Sequence, residues 1–200
     1  MSEAANATTM STDEVKAKLC GRAPNGLPLA ADAGARPEDD FDYAKDPKGL
    51  ACPFGSHMRR MNPRGGALAH AARSRPLLRR SMPYGPDWQH PPQDQERGLL
   101  GHFFCASIED QFEHLLSQWA DRVPLGSDDE GGARDPLIGA HEKGDGGFEM
   151  PMPSGRPVVL RGLHPFTRTR GTAYLFYPSL TTLARIAQNE VFADLREDEA

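Results

Sequence analysis

The chain has 200 residues, 38% of them hydrophobic and 26% charged, and its formal net charge at pH 7 is -5. That length suits one domain with a modest core. The acidic balance argues against general nucleic-acid binding, and no apolar stretch approaches the ~20 residues of a transmembrane helix, so we expect neither nucleic acid nor a membrane as a partner.

The cysteines and the N-terminus indicate the compartment. Cys20, Cys52 and Cys105 are few and scattered, which does not resemble a disulfide framework. The first residues, MSEAANATTM, lack the basic start and the apolar run of a secretory signal. We expect reduced thiols and a cytoplasmic location.

The N-terminal quarter predicts one helix followed by a long loop. Residues 1–10 are expected to be a disordered tail, after which Ser11 or Thr12 begins a helix that ends at Gly21. From Gly21 to Gly55 the sequence is rich in Gly, Pro, Asp and Ala and has almost no hydrophobic period. This pattern predicts an extended loop, and loops of such length usually have a function.

The middle of the chain predicts a strand and then a helix. The apolar stretch from Arg97 to Ser107 is typical of a buried strand. The following residues place one apolar face at helical spacing, formed by Ile108, Phe112, Leu115, Leu116 and Trp119. A polar loop is then expected from Val123 to Pro157.

The C-terminal part of the sequence again predicts a strand followed by a helix. Gly171 to Pro178, GTAYLFYP, is typical of a second buried strand. Ser179 is expected to cap a final helix whose inward face carries Leu180, Leu183, Ile186 and Ala187. The fold class is therefore predicted as α+β with long loops, in a domain over 11–192 with a tail at 193–200.

Two motifs between Cys52 and Pro86 indicate the chemistry. They read CPFGSHMRRMNPR and LLRRSMPYGP, and they place His57 after a Pro and a Gly in a turn context. Both resemble motifs of the dye-decolorising peroxidase family, CPFGAHIRRxNPR and LRRGxPYGP. The resemblance continues through FDYAKDPKGL, RGLL, SIEDQFEHLLSQW, DPLIG and TRGTAYLFYPSL, so that it covers roughly Val15 to Ala187.

The resemblance implies a ferredoxin-like domain of the dimeric α+β barrel type that binds haem b, iron protoporphyrin IX. His57 then corresponds to the axial iron ligand, and Arg79 to the catalytic arginine on the opposite haem face. Ser81 corresponds to a neighbouring position on that face, and Leu99 and Phe103 to walls of the haem cavity. The implied substrates are hydrogen peroxide and a phenolic or dye-like electron donor.

Several residues in and near these motifs allow other interpretations of their role. Outside its motif, a lone histidine such as His57 is more often structural than a metal ligand. Gly101 stands where the family has a bulky aromatic residue, which predicts a wider pocket. Asp110 and Glu113 are charged candidates to orient the ring of His57, although the resemblance nominates neither. Three arginines are expected to be structural or to pair with haem propionates: Arg22, Arg64 and Arg80.

The family's distal aspartate lies in a GxxDG motif, which this sequence does not contain. That aspartate shuttles a proton between the two peroxide oxygens. We therefore expect a truncated, split or fragmentary form of the two-domain barrel. A non-catalytic haem-binding module and an inactive fragment stay open as alternatives, and a second copy of the chain or a separate N-terminal half as partners.

Overall fold

The computed structural model describes residues 10–31, 41–65, 73–86, 95–122, 134–142, 144 and 146–188. These residues divide into two compact units, one ending at Thr167 and the other beginning at Arg168. Of the predicted tails at 1–10 and 193–200, residues 1–9 and 193–200 lie outside the described residues. Met10 is described and packs against the core, so the tail prediction is wrong at this residue. None of the helices in the described ranges is both long and apolar enough to cross a membrane.

Helix α1 spans Thr12–Cys20, as the sequence predicts. Ser11 caps it in a reciprocal arrangement, because its hydroxyl accepts from the Glu14 N–H at 3.2 Å and its own N–H donates to the Glu14 carboxylate at 2.6 Å. The helix ends at Gly21, whose φ of 98° is left-handed. A Cβ there would stand 2.9 Å from the Cβ of Met58, so glycine also permits close approach to the next helix.

The core of the first unit lies between α1 and a two-stranded antiparallel sheet. Strands β3 (Gly146–Met150) and β4 (Val158–Leu163) pair from Gly146 opposite Leu163 to Met150 opposite Val158. The buried cluster consists of Val15, Leu19, Phe148, Met150 and Leu160. The predicted loop from Val123 to Pro157 is thus wrong at β3, where the alternating burial of only five residues gives a weak sequence signal.

A second antiparallel sheet joins β1 (Leu78–Tyr84) and β2 (Gly98–Phe104). The predicted strand after Arg97 is confirmed, but its burial is not, since Leu99 is 71% exposed and Leu100 59%. Apolar composition shows what a strand tolerates on its faces. It does not show whether the chain provides a layer to cover them.

Residues 108–120 form two π-helical segments, Ile108–Glu113 and Leu115–Ala120. A helix is confirmed, but its buried residues are Gln111, Leu115 and Ala120, whereas Ile108 and Leu116 of the predicted face are exposed. The prediction assumed the period of an α-helix. A π-helix bonds residue i to i+5, so its turns are wider and the buried positions fall four and five residues apart.

Among the described residues of the second unit, the only helix is α3 (Leu180–Ala187), which is capped by Ser179 as predicted. Its apolar residues are not inward, because Leu180 is 85% exposed and Leu183 48%. Residues 171–178 form no strand, and Phe176 in this segment is 79% exposed. A strand needs a backbone ladder to a neighbouring strand, and the described strands form ladders only within the pairs β1–β2 and β3–β4.

The long loop before the first motif is confirmed where it is described. Residues 21–31 and 41–56 contain turns and an isolated bridge between Arg22 and Pro28, and no regular helix or strand. The loop leads directly into the short helix α2 (His57–Met61), which packs against α1 and against residues 115–120. The loop and this helix place the first motif beside the core.

Candidate active site

His57 is the first residue of α2, and the turn before it is held by a buried ion pair. Asp46 accepts from the N–H of Ala51 at 3.1 Å and from that of Cys52 at 2.8 Å. Its carboxylate also accepts from Arg59 at 2.9 Å. Because the pair closes the turn on both sides of the CPFGSH segment, it fixes where His57 leaves the backbone.

Arg59 is a structural residue of this turn. Its guanidinium lies between the rings of Tyr43, at 4.4 Å from the centroid, and Phe54, at 4.3 Å. It also donates to the carbonyls of Cys52 and Asp46. Arg60 is 4% exposed and donates to the Ala120 carbonyl at 3.3 Å. These two arginines of the CPFGSHMRRMNPR motif therefore stabilise the fold.

The ring of His57 is oriented by a carboxylate. Its Nδ1 lies 2.9 Å from Oδ2 of Asp135, whose side chain is fully buried, while the ring itself is 24% exposed. None of the described residues offers a hydrogen-bond partner to the other ring nitrogen, Nε2. A ring with Nδ1–H donated to a carboxylate carries its free lone pair on Nε2, the arrangement of a metal-ligating histidine.

Asp135 is held in its ionised form although it is buried. Burial works against ionisation, but the hydrogen bond from the His57 ring and those from the N–H groups of Leu137 and Ile138 outweigh it, so the pKa of Asp135 lies below its ordinary value. The two N–H groups donate to Oδ1 at 2.9 and 3.0 Å, which leaves Oδ2 for His57. The carboxylate is thus both charged and fixed in direction.

Sequence reasoning did not assign Asp135 to this position, although the DPLIG segment contains it. The charged candidates Asp110 and Glu113 are both exposed, and the carboxylate of Asp110 accepts from Ser107 at the start of the π-helical segment. The available signal was the Asp-Pro pair of DPLIG, which is typical of a turn. A turn signal does not say which distant side chain the aspartate meets, 78 residues away in the chain.

The side chain of Asp135 makes stability depend on pH. The pKa of the Asp135 carboxyl is lower in the folded than in the unfolded chain. Its ionised form therefore stabilises the fold fully at a pH above the pKa of the unfolded chain, near 4. This stabilisation is lost as the pH falls through the pKa of the folded chain. We expect Asp135→Asn to lower the free energy of unfolding by about 1.5–3 kcal/mol at pH 7. Urea unfolding of both proteins should show this difference narrowing below pH 4, and a difference independent of pH would contradict it.

Gly139 in the same turn has no room for a side chain. A Cβ there would stand 2.6 Å from the carbonyl oxygen of Asp135 and 2.9 Å from its nitrogen, and backbone atoms cannot move aside. Gly139→Ala is therefore expected to destabilise the fold by about 1–3 kcal/mol in urea unfolding. Gly171→Ala is the matched control, since its Cβ meets nothing within 4 Å. Equal stability of the two variants would contradict the assignment.

The other candidate residues meet on one face of the second sheet. Register pairs Arg79 with Phe103, Ser81 with Gly101, and Pro83 with Leu99. Because side chains alternate along a strand, Arg79, Ser81, Leu99 and Phe103 all project from the same face, while Arg80 projects from the opposite one. The sequence predicted these four residues as one group, and the register places them together.

This face is open in the described residues. Arg79 is exposed, and no described residue pairs with its guanidinium. The ring of Phe103 leans over Gly101, so that a Cβ on Gly101 would stand 2.6 Å from the ring. The ring of Phe103 thus occupies the space that a side chain at position 101 would fill, and the wider pocket expected at Gly101 stays a prediction.

The three arginines predicted to be structural or to pair with haem propionates have local partners. Arg22 donates to the Gly26 carbonyl at 2.5 Å, and the guanidinium of Arg64 lies 4.5 Å from the ring centroid of Phe41. Arg80 donates to the Arg79 carbonyl at 3.3 Å. These contacts agree with the prediction that the three arginines are structural.

The π-helical segments connect the sheet face to the histidine. Gln111 accepts from the N–H groups of Ala106 and Ser107 and donates to the Pro76 carbonyl, which fastens the start of the helix to the sheet. The ring of Phe112 contacts that of Phe103, with 5.3 Å between centroids. At the other end, residues 115–120 pack against α2. The π-helical segments thus contact both Phe103 of the sheet face and the helix that carries His57.

No family model matches the chain. It is 30% identical over 187 residues to the multifunctional dye peroxidase DyP2 of an Amycolatopsis species, an alignment that covers 84% of this chain and 40% of that protein. It is 28% identical over 206 residues to the dye-decolorizing peroxidase msp1 of Mycetinis scorodonius, covering 87% and 39%. The chain therefore spans about two fifths of the length of these curated relatives.

Solved structures agree with these relatives. The fold matches the crystal structure of a DyP-type peroxidase from an Anabaena species with a TM-score of 0.66 and 27% identity, over 82% of this chain and 37% of that one. It matches DyP2 from Amycolatopsis with a TM-score of 0.60 and 29% identity, over 78% and 37%. The predicted fold, an α+β domain of the ferredoxin-like type found in dye-decolorising peroxidases, is thus confirmed.

Proposed function

Because this chain is similar in sequence and in fold to dye-decolorising peroxidases, we propose that it belongs to their family and forms the haem-ligating part of a peroxidase. The observation that carries the proposal is the pair of His57 and Asp135: Nδ1 is bound to a buried carboxylate, and Nε2 has no hydrogen-bond partner among the described residues. The activity assigned to the assembled enzyme is oxidation of phenolic or dye-like donors by hydrogen peroxide.

The residues present fit haem b. A single histidine with a carboxylate on its second nitrogen suits an iron whose other four ligands come from a porphyrin. The exposed sheet face carries the apolar side chains of Leu99 and Phe103, together with the guanidinium of Arg79, which no described residue pairs with. Such a face suits a flat apolar ring system with polar chemistry at its centre. When bound, the haem iron supplies the two-electron redox chemistry that cleaves the O–O bond.

His57 and Asp135 provide the electron-rich side of this site. A hydrogen bond from Nδ1–H to an ionised carboxylate gives the imidazole partial imidazolate character, which raises the basicity of Nε2. The low pKa of Asp135 keeps the carboxylate charged throughout the neutral range. The chain thereby holds the proton on Nδ1 and leaves Nε2 as the ligating atom.

Arg79 provides the electron-poor side. A guanidinium stays protonated and presents fixed N–H donors, so it stabilises negative charge that develops on the departing peroxide oxygen. Ser81 lies two residues along on the same face, where its hydroxyl is a second donor. In the net reaction, one hydrogen peroxide takes two electrons and two protons to give two waters, and two donor molecules lose one electron each.

Proton transfer between the two peroxide oxygens needs an acid–base group. The described residues of the Arg79 face include no carboxylate: they are Arg79, Ser81, Pro83, Leu99, Gly101 and Phe103. We assign this group to the part of the family fold that lies outside the two fifths matched by this chain, on the same polypeptide or on a partner. Haem ligation does not depend on that group, whereas the rate of turnover does.

Hemin titration of the purified chain tests the proposal. We expect a Soret band that saturates at one hemin per chain and has the spectrum of a histidine-ligated haem. Addition of hydrogen peroxide should then change that spectrum, and a phenolic donor should restore it. A band that rises without saturation would mean nonspecific adsorption on the exposed apolar surface and would refute the haem site.

A further inference from the structure

The backbone of Asp135 is held as firmly as its side chain. Its N–H donates to the Ala120 carbonyl at 2.6 Å, and its carbonyl accepts from the Gly139 N–H at 3.0 Å. The first bond fastens the turn to the end of the π-helical segment that packs on α2. The carboxylate that meets His57 therefore depends on where this turn is anchored.

His141 adds a side-chain bond to the same carbonyl. Its Nε2 lies 2.7 Å from the Asp135 oxygen, and its backbone N–H donates to the Gly139 carbonyl at 2.8 Å. A carbonyl oxygen only accepts, so Nε2 of His141 carries the proton. The Asp135 carbonyl thus receives one donor from within the turn and one from the residue that closes it.

We propose that His141 is a positioning residue for His57, acting through the backbone of Asp135. A hydrogen bond weakens steeply when its length or angle departs from the optimum, so a small shift of Asp135 weakens the 2.9 Å bond to Nδ1 of His57. His141 is hydrogen-bonded to Asp135 and not to His57 itself. The inference extends the proposed function, but its first test needs no haem.

The first test is the ¹⁵N spectrum of the His57 ring in the haem-free chain at one fixed pH. In His141→Leu, which removes the donor and keeps an apolar side chain, we expect the two ring nitrogens of His57 to shift toward the values of an imidazole without a strong partner. In His141→Gln, whose side-chain NH₂ replaces Nε2–H, the signals should stay at the wild-type positions.

Two results would overturn the inference. Unchanged His57 signals in His141→Leu would mean that Asp135 needs no donor from this side chain. Equal shifts in the leucine and glutamine variants would mean that the ring acts by packing and not as a donor. Backbone amide signals of the buried cluster formed by Val15, Leu19, Phe148, Met150 and Leu160, which does not include His141, report whether each variant is folded.

A second test uses the hemin-loaded chain and separates this inference from the proposed function. We expect the iron–histidine stretching band of the reduced protein to move to lower frequency, and the midpoint potential to rise, in His141→Leu but not in His141→Gln. If hemin does not bind through His57, the proposed function fails and the ring spectrum still decides the role of His141. If hemin binds and no variant moves the band, the positioning role fails alone.

Discussion

Replacing His57 with asparagine is expected to lower hemin affinity by more than ~100-fold, because removing a residue that merely orients a ligand already costs about 10–100-fold. Asparagine places its side-chain NH₂ near the position of Nδ1, so it keeps a donor for the buried Asp135 carboxylate. It has no atom at the position of Nε2. The variant therefore removes the ligating nitrogen without leaving a buried charge unpaired.

Hemin titration followed by absorbance measures this loss, and exogenous imidazole provides the positive control. Imidazole is expected to restore a histidine-type spectrum in His57→Asn, because it supplies the missing nitrogen donor. His164→Asn is the matched control, since His164 is exposed. A saturating band of wild-type affinity in His57→Asn would assign the iron to another residue and would refute the proposed ligand.

The candidate site could be predicted from sequence where a residue belongs to a local motif. His57 and Arg79 stand in contiguous motifs whose residue order is visible in the chain, and the register of β1 and β2 brings Arg79, Ser81, Leu99 and Phe103 to one face. Asp135 was missed because its partner is far away in the chain. A hydrogen bond between distant segments leaves no periodic signal.

The fold shows the same division between local and distant information. The start of α1 and the cap of α3 are local, and both were predicted correctly. Burial is not local, because it depends on what lies against a segment. The apolar residues of β2 and α3 were predicted as inward, yet Leu99 and Leu180 are strongly exposed. Composition indicated surfaces suited to burial, and the described residues do not cover them.

Replacing Arg79 with alanine is expected to slow the reaction of the hemin-loaded chain with hydrogen peroxide by ~10²–10³-fold, the usual loss when one preorganised donor to a developing negative charge is removed. Hemin affinity should change little, since the haem is ligated by His57. Cyanide binding gives a second measurement that does not need turnover. Because cyanide binds as an anion, loss of the charged donor, worth about 1.5–3 kcal/mol, should weaken its binding by roughly 10–100-fold.

Arg80→Ala is the control that makes this prediction specific. Arg80 is the next residue of the same strand and carries the same charge, but its side chain projects from the opposite face of the sheet. If the effect of Arg79 came only from the net charge of the strand, the two variants would lose peroxide reactivity and cyanide affinity equally. If Arg79 acts from its face of the sheet, Arg80→Ala stays near wild type in both measurements. Equal losses in the two variants would therefore remove Arg79 from the reaction and leave His57 as the chain's contribution to the haem site.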